Sequence, residues 1–313
     1  MTARVLAVIV GSLVVATISL FAGPALEGAH APFVLWQLRV PRLLVGMLVG
    51  AMLSLAGASF QIVFNNPLAT PSTVGTLAGA TLGALAALAF GIEPEVGGLP
   101  ITTLAAFAGA LSASLMVAGV ASSGRARMGD VLLAGIAVSL AASAIATGVQ
   151  YIADSRALFA ASRWSLGQLP QVGYRGVAVL SPVVLLTSIV LLGQTRALGS
   201  LVLGEDAAHA QGVHVPRLRA LVLGAASLGV ATCVAWCGPI AFVGLIVPHL
   251  VRLAVGPSVR LLLPLSMVLG AAFLAVCDAL ARSLAPGREL PVGVLTAALG
   301  APALILLMVR QRS

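Results

Sequence analysis

The stretch LVLGEDAAHAQGVHVPRLR, Leu201–Arg219, separates two long apolar blocks. The chain has nine acidic residues in 313, and two of them, Glu205 and Asp206, stand side by side here. On either side Ala, Leu, Val and Gly dominate: 60% of all residues are hydrophobic, 8% are charged, and the mean hydropathy is +1.11. A water-soluble fold could not cover this much hydrocarbon. Runs of about 17–25 apolar residues cross the ~30 Å core of a bilayer as helices, and the chain holds about ten of them, some interrupted by Gly or Pro. The expected fold is therefore all-α, a polytopic membrane protein forming one transmembrane domain over residues 1–313. Spans are expected near 5–22, 43–63, 74–91, 101–121, 131–152, 177–192, 220–237, 240–255, 261–280 and 292–309.

Arg4, the apolar run from Val5 and the AHA at Ala29–Ala31 have the outline of a secretory signal. The run continues for about 18 residues before Gly23-Pro24, longer than an ordinary signal core, and reads as the first span. Ten spans place both termini on one side. With that side cytoplasmic, the inside holds Arg4, Arg125, Arg127, Arg196, Arg217, Arg219, Arg252, Arg260, Arg310 and Arg312. The outside holds Arg39, Arg42, Arg156, Arg163, Arg175, Arg282 and Arg288, so the bias toward both termini inside is modest.

The net charge of +8 is carried by seventeen arginines and no lysine. They are scattered at span ends rather than gathered among aromatics, which argues for membrane lipid as neighbour and against nucleic acid. Without lysine the chain has neither a phosphate-loop lysine nor a Schiff-base lysine. Cys233, Cys237 and Cys277 fall inside apolar spans and read as small buried hydrophobes, not as metal ligands or disulfides. No HExxH, GxSxG or clustered His/Asp set marks a catalytic site, so neither catalytic residues nor a cofactor are expected. Asp278 is the one acid expected at membrane depth, and Arg282 at i+4 pairs it locally, which weakens the alternative of an ion-coupled secondary transporter.

Several features point instead to a transport pathway driven from outside the chain. Gly75, Gly79 and Gly83, and Gly46 with Gly50, are spaced for close helix contact. Ser139, Ser143, Thr147 and Gln150 form one polar stripe along the fifth span, either lining a pathway or bonding back to their own helix. GASFQIVFNNP (57–67) and GPIAFVGLIVP (238–248) each place a Gly ten residues before a Pro, and such paired helix breaks mark transport routes. In the opening stretch, Glu205 and Asp206 suit the positive end of a short helix, and Gly212 suits its close. A helix lying on lipid would carry Lys, Arg and bulky apolar residues, whereas EDAAHAQ fits a handle for a second protein.

The motifs WQLRVPR (36–42), NNPLATPSTVGTLAGA (65–80), LLAGIAVS (132–139), RWSLGQL (163–169), LGEDAAHAQG (203–212), GPIAFVGLIVPHLVR (238–252) and ELPVGVLTAALGAP (289–302) follow in order along nearly the whole chain. In them the sequence resembles the FecCD-type permeases, membrane subunits of type II ATP-binding-cassette importers for ferric siderophores, haem and cobalamin. The resemblance implies a ten-helix subunit with cytoplasmic termini in the bacterial inner membrane. It implies as partners a second copy of the chain, two ATPase subunits and a periplasmic substrate-binding protein, with an iron chelate as first cargo and cobalamin as alternative. It places the ATPase coupling helix at Gly204, Glu205, Asp206, Ala207, Ala208, His209, Gln211 and Gly212. It places a cytoplasmic gate at Asn66, Pro67, Leu68, Met128 and Gly129, the pathway along the Ser139–Gln150 stripe, and binding-protein docking at Arg39, Arg42 and Arg282. Gln168, where the family usually has Ser, and Leu304, where an aromatic is common, depart from its pattern.

Overall fold

The computed structural model describes residues 2–22, 31–91, 95–96, 99–122, 128–171, 173–284 and 289–310. Arg125, Arg127, Arg288 and Arg312, which entered the charge count, lie outside them. The helices run α1 (Thr2–Phe21), α2 (Val40–Val63), α3 (Thr76–Ala89), α4 (Ile101–Ser122), α5 (Met128–Ile152), α6 (Ser155–Ser165), α7 (Arg175–Gly193), α8 (Thr195–Val202), α9 (Glu205–Ala210), α10 (Val215–Cys237), α11 (Val243–Val255), α12 (Val259–Ser283) and α13 (Val292–Arg310). A two-residue antiparallel ladder, Glu95–Val96 with Leu99–Pro100, lies between α3 and α4.

Among the described residues, seven helices are long and apolar enough to cross a bilayer. Three more apolar helices are shorter: α3, α11 and α13 as far as Leu304. At 1.5 Å per residue, the 14 residues of α3 and the 13 of α11 reach about 20 Å, less than a hydrocarbon core. Both are short because other chain precedes them: a turn and a 3-10 helix (Pro71–Val74) within 64–75, and non-helical chain at 238–242. The expected spans at 74–91 and 240–255 are trimmed there. The second span is longer than expected: a π-helical turn, Val34–Arg39, runs without a break into α2, with Pro41 just past the junction. α6 and α8 were not among the expected spans. α6 is amphipathic, and the Asp154 carboxylate caps it by accepting the Ala157 N–H at 2.8 Å.

α2 is the centre of the fold. From Val49 to Val63 every residue is buried, including Met52, Leu55 and Phe60 at 0% exposure. α12, α10, α11 and α7 all pack on it. A helix enclosed on so many sides approaches its neighbours backbone to backbone, and small residues stand where it does. A Cβ on Gly50 would strike the Gly270 carbonyl of α12, and one on Gly57 the Gly244 carbonyl of α11. The same device joins α3 to α4, where Gly79 faces Gly109 and Gly83 faces Ala105.

Gly57→Val forces α2 and α11 apart and is expected to cost about 1–3 kcal/mol or more. Gly224→Ala meets no atom within 4 Å and should be neutral or slightly stabilising. Thermal unfolding of the two variants in detergent checks the contrast.

Candidate functional site

Two breaks in the helices meet at the core. α2 ends at Val63, Asn65 takes φ +45°, and the Asn66 N–H returns to the Gln61 carbonyl at 3.1 Å. The Asn66 side chain accepts the Leu68 N–H at 2.9 Å, so Asn66, Pro67 and Leu68 form one tight turn with Leu68 45% exposed. On the other side Gly238 (φ +71°) ends α10, and Phe242 (φ +66°) opens α11. Left-handed backbone at a bulky aromatic is strained and persists only where packing enforces it. Here the ring packs where Gly300 of α13 has no side chain. Between the breaks lies an open cavity of about 340 Å³, lined by Leu68, Thr70 and Ser72 from one and by Ile240, Phe242 and Leu245 from the other. The Gln61 amide donates to the Gly244 carbonyl at 3.2 Å and ties the two sides together. Non-helical backbone at membrane depth is tolerated where it is buried or faces such a cavity.

The remaining gate residues, Met128 and Gly129, open α5. Gly129 is exposed, and the Met128 side chain lies outside the described residues. Along α5, Ser143, Thr147 and Gln150 are exposed and Ser139 is half-buried, so the stripe occupies one outer face of the single chain. Ser139 and Thr147 donate to the Gly135 and Ser143 carbonyls at 2.8 and 2.9 Å, the local bonding hydroxyls commonly adopt in helices. Gln150 lines a small cavity of about 90 Å³ with Thr81, Ser162 and Trp164.

The opening stretch forms the short helix α9. Gly204 enters it with φ +114°, and Gly212 leaves it with φ +77°. The Gly212 and Val213 amides reach the His209 and Ala208 carbonyls, both at 2.9 Å, which closes the helix by the Schellman pattern. Ala208 is buried and Ala207 half-buried, while Asp206 and His209 are exposed. Glu205 accepts from Arg219 of α10, and the Gln211 side chain accepts from the Ser200 hydroxyl at 2.6 Å, so both ends of the turn are held to the bundle. Beside α9 lies a groove of about 470 Å³, with Leu203 and Gln211 on one wall and Pro257, Ser258 and Arg260 on the other.

Within the single chain, the three arginines expected at a docking surface all bond to groups of the chain itself. Arg42 is 5% exposed and donates to Asp278 at 2.9 Å and to Glu289 at 2.6 Å. Arg282 donates to the other Asp278 oxygen at 3.1 Å and to the Ser19 and Ala22 carbonyls, both at 2.8 Å. Arg39, 8% exposed, points to the Leu20 and Phe21 carbonyls at 3.4 and 3.5 Å. The physical reason is proximity: a buried acid and the bare carbonyl end of α1 lie within reach, and in a poorly solvated site nearby acceptors outcompete distant ones. The expected Asp278–Arg282 pair is present, with Arg42 as a second partner.

A model of the FecCD transport family matches residues 2–310. The chain is 41% identical to the cobalamin import system permease protein BtuC of Halobacterium salinarum over 89% of its length and 74% of the relative's. It is 38% identical to the hemin transport system permease protein HmuU of Yersinia pestis, over 88% of this chain and 83% of that one. A solved inward-facing structure, assigned to a metal-chelate type ABC transporter, superposes with a TM-score of 0.89 at 31% identity, covering 99% of this chain and 100% of its own. The chain belongs to the FecCD transport family. FecCD membership makes it a multi-pass membrane permease of the ABC importer type, whose ATPase is a separate subunit.

Within this FecCD permease, sequence reasoning missed Glu289, Gln171, Gln61 and Arg252. The Gln171 amide donates to Glu289 at 2.8 Å and extends the cluster around Arg42. Arg252 donates to the Gln61 side chain at 2.6 Å. The isolated polar residue in an apolar helix, the signal that singled out Asp278, would have found Gln61. Of the two departures from the family pattern, Gln168 is exposed and its N–H donates to the Cys237 carbonyl at 2.8 Å, while Leu304 is half-buried.

Removing one partner of a buried charge cluster leaves the others uncompensated. Asp278→Asn should therefore destabilise the permease by about 3–5 kcal/mol. Combining it with Arg42→Met should recover part of the loss. Thermal unfolding in detergent of the single and double variants measures both, and a neutral Asp278→Asn contradicts the cluster's structural role.

Proposed function

We propose that the chain carries a bulky metal chelate, first an iron chelate such as a ferric siderophore or haem, from a periplasmic binding protein to the cytoplasm by alternating access. The family match over residues 2–310 carries this reading. The metal-chelate type of the superposed transporter supports the cargo class. The 41% identity to a cobalamin import permease favours cobalamin as the second reading.

In this reading the protein crosses the inner membrane ten times, with both termini cytoplasmic. Seven long apolar helices and three shorter ones support that count. Two copies and two ATPase subunits form the importer, with each α9 seated in one ATPase. The exposed Asp206 and His209 and the groove beside Leu203 support α9 as the coupling element. The Asn66–Leu68 turn, with Met128 and Gly129, closes the cytoplasmic end of the route, and the Ser143–Gln150 face lines it. Arg39, Arg42 and Arg282 serve the binding protein indirectly, by fixing the outer ends of α1, α2 and α12.

Two experiments test the reading. Co-expressed with its ATPase, the unmodified chain should retain that subunit through purification. In cells lacking their own permeases it should restore uptake of a radiolabelled ferric siderophore or of haem. Glu205→Lys with Asp206→Lys should lose both. The acids contribute only about 0.3–1 kcal/mol each to the helix terminus, so the loss arises mainly at the interface. Normal assembly of the double variant places the contact elsewhere.

In chains without Cys233, Cys237 and Cys277, cysteine at Ser143 or Thr147 should react with a charged thiol reagent more in one nucleotide state than another. Cysteine at Leu140 should stay protected by lipid. Equal reactivity at all three positions in every state returns the stripe to helix packing.

A further inference from the structure

The link between Gln61 and Arg252 joins the two parts of the permease that transport must coordinate. Gln61 is 4% exposed and lies two residues before the end of α2. All its polar functions except the N–H reach beyond its own helix. The side-chain oxygen accepts from Arg252 at 2.6 Å, and the amide donates to the Gly244 carbonyl at 3.2 Å. The main-chain carbonyl accepts from Asn66, the first residue of the turn that presents Leu68. Arg252 sits in the last turn of α11, half-buried, with its guanidinium directed into the protein. Four residues later Gly256 (φ +89°) ends that helix, and Pro257 and Ser258 form a wall of the groove beside α9.

We propose that Arg252 and Gln61 are positioning residues that transmit movement of the groove beside α9 to the Asn66–Leu68 turn. This rests on the permease reading above and adds the route by which the ATPase acts on the gate. α11 is short and is held by close backbone contact with α2 at Gly57 and Gly244. A displacement at its Pro257 end pivots it about that contact. The Arg252–Gln61 bond then turns the pivot into a pull on the end of α2, from which the gate turn hangs by the Asn66–Gln61 bond. Snorkelling to lipid phosphate, the ordinary use of an arginine near a span end, would point the guanidinium away from the core. Gln61 supplies a directional acceptor in its place.

The test uses the complete complex with its ATPase and needs no transported ligand. Leu68→Cys, in chains whose native cysteines are replaced by Ala, is labelled with a charged maleimide in the nucleotide-free and the ATP–vanadate states. In the otherwise unmodified complex the two labelling rates should differ by about tenfold, the scale of an ordinary coupling between sites. With Arg252→Met the ATPase should remain bound and hydrolyse ATP, while the labelling rates converge. Arg252→Lys, which can still donate to Gln61, should restore the difference. A nucleotide response that survives Arg252→Met overturns the proposal. Should that variant fail to assemble, Gln61→Met decides in its place: it keeps the side-chain volume and breaks the same bond from the other side. Converged rates in it support the relay, and a normal response overturns it. Failure of the unmodified chain to bind an ATPase at all removes the permease reading itself, a result distinct from a bound ATPase with an unresponsive gate.

Discussion

Where Gly57 of α2 lies on Gly244 of α11, no side chain fits between two backbones, and the arrangement of the core follows from that contact. In lipid there is little hydrophobic gain in bringing helices together, so close packing and internal hydrogen bonds must hold them. The contact brings the non-helical chain that follows α2 and the non-helical chain that precedes α11 to the same place. Their backbones border one cavity instead of facing hydrocarbon, which is the condition under which a membrane protein can interrupt a helix. Asn65 and Phe242, one on each break, hold left-handed backbone there.

Charge is handled by the same rule of local satisfaction. Asp278 at 3% exposure would be costly alone, and two guanidiniums compensate it from different helices. Those guanidiniums have donors to spare, which go to Glu289 and to the open carbonyl end of α1. α1 is the least enclosed of the long helices, with 17% of its apolar window buried. Its C-terminal end is held to α12 by hydrogen bonds in addition to side-chain packing. Within the chain, this arginine cluster fastens helix ends to one another.

The short helix α9 stands apart from both. It buries only Ala208 fully, and glycines at both ends allow the chain to enter and leave it sharply. The bonds from Glu205 to Arg219 and from Gln211 to Ser200 fix its position on the bundle, so a force applied to it reaches α8 and α10 directly.

The sequence by itself determined the all-α membrane class, the approximate place of the long helices, the short helix at 205–210 with its glycine close, and the family. Each depends on composition or on contacts within a few residues: apolar run length, the i+4 spacing of Asp278 and Arg282, a glycine after a helix. The tertiary structure alone decided which way the arginines turn, that Glu289 and Gln171 join Arg42, and that Gln61 bridges the two breaks. The partners explain the difference. Arg42 and Asp278 are 236 residues apart and Arg252 and Gln61 are 191 apart, whereas helical periodicity reports only which face a residue occupies. What stands opposite that face is set by how the helices pack, and a lone polar residue in an apolar run says only that a partner must exist.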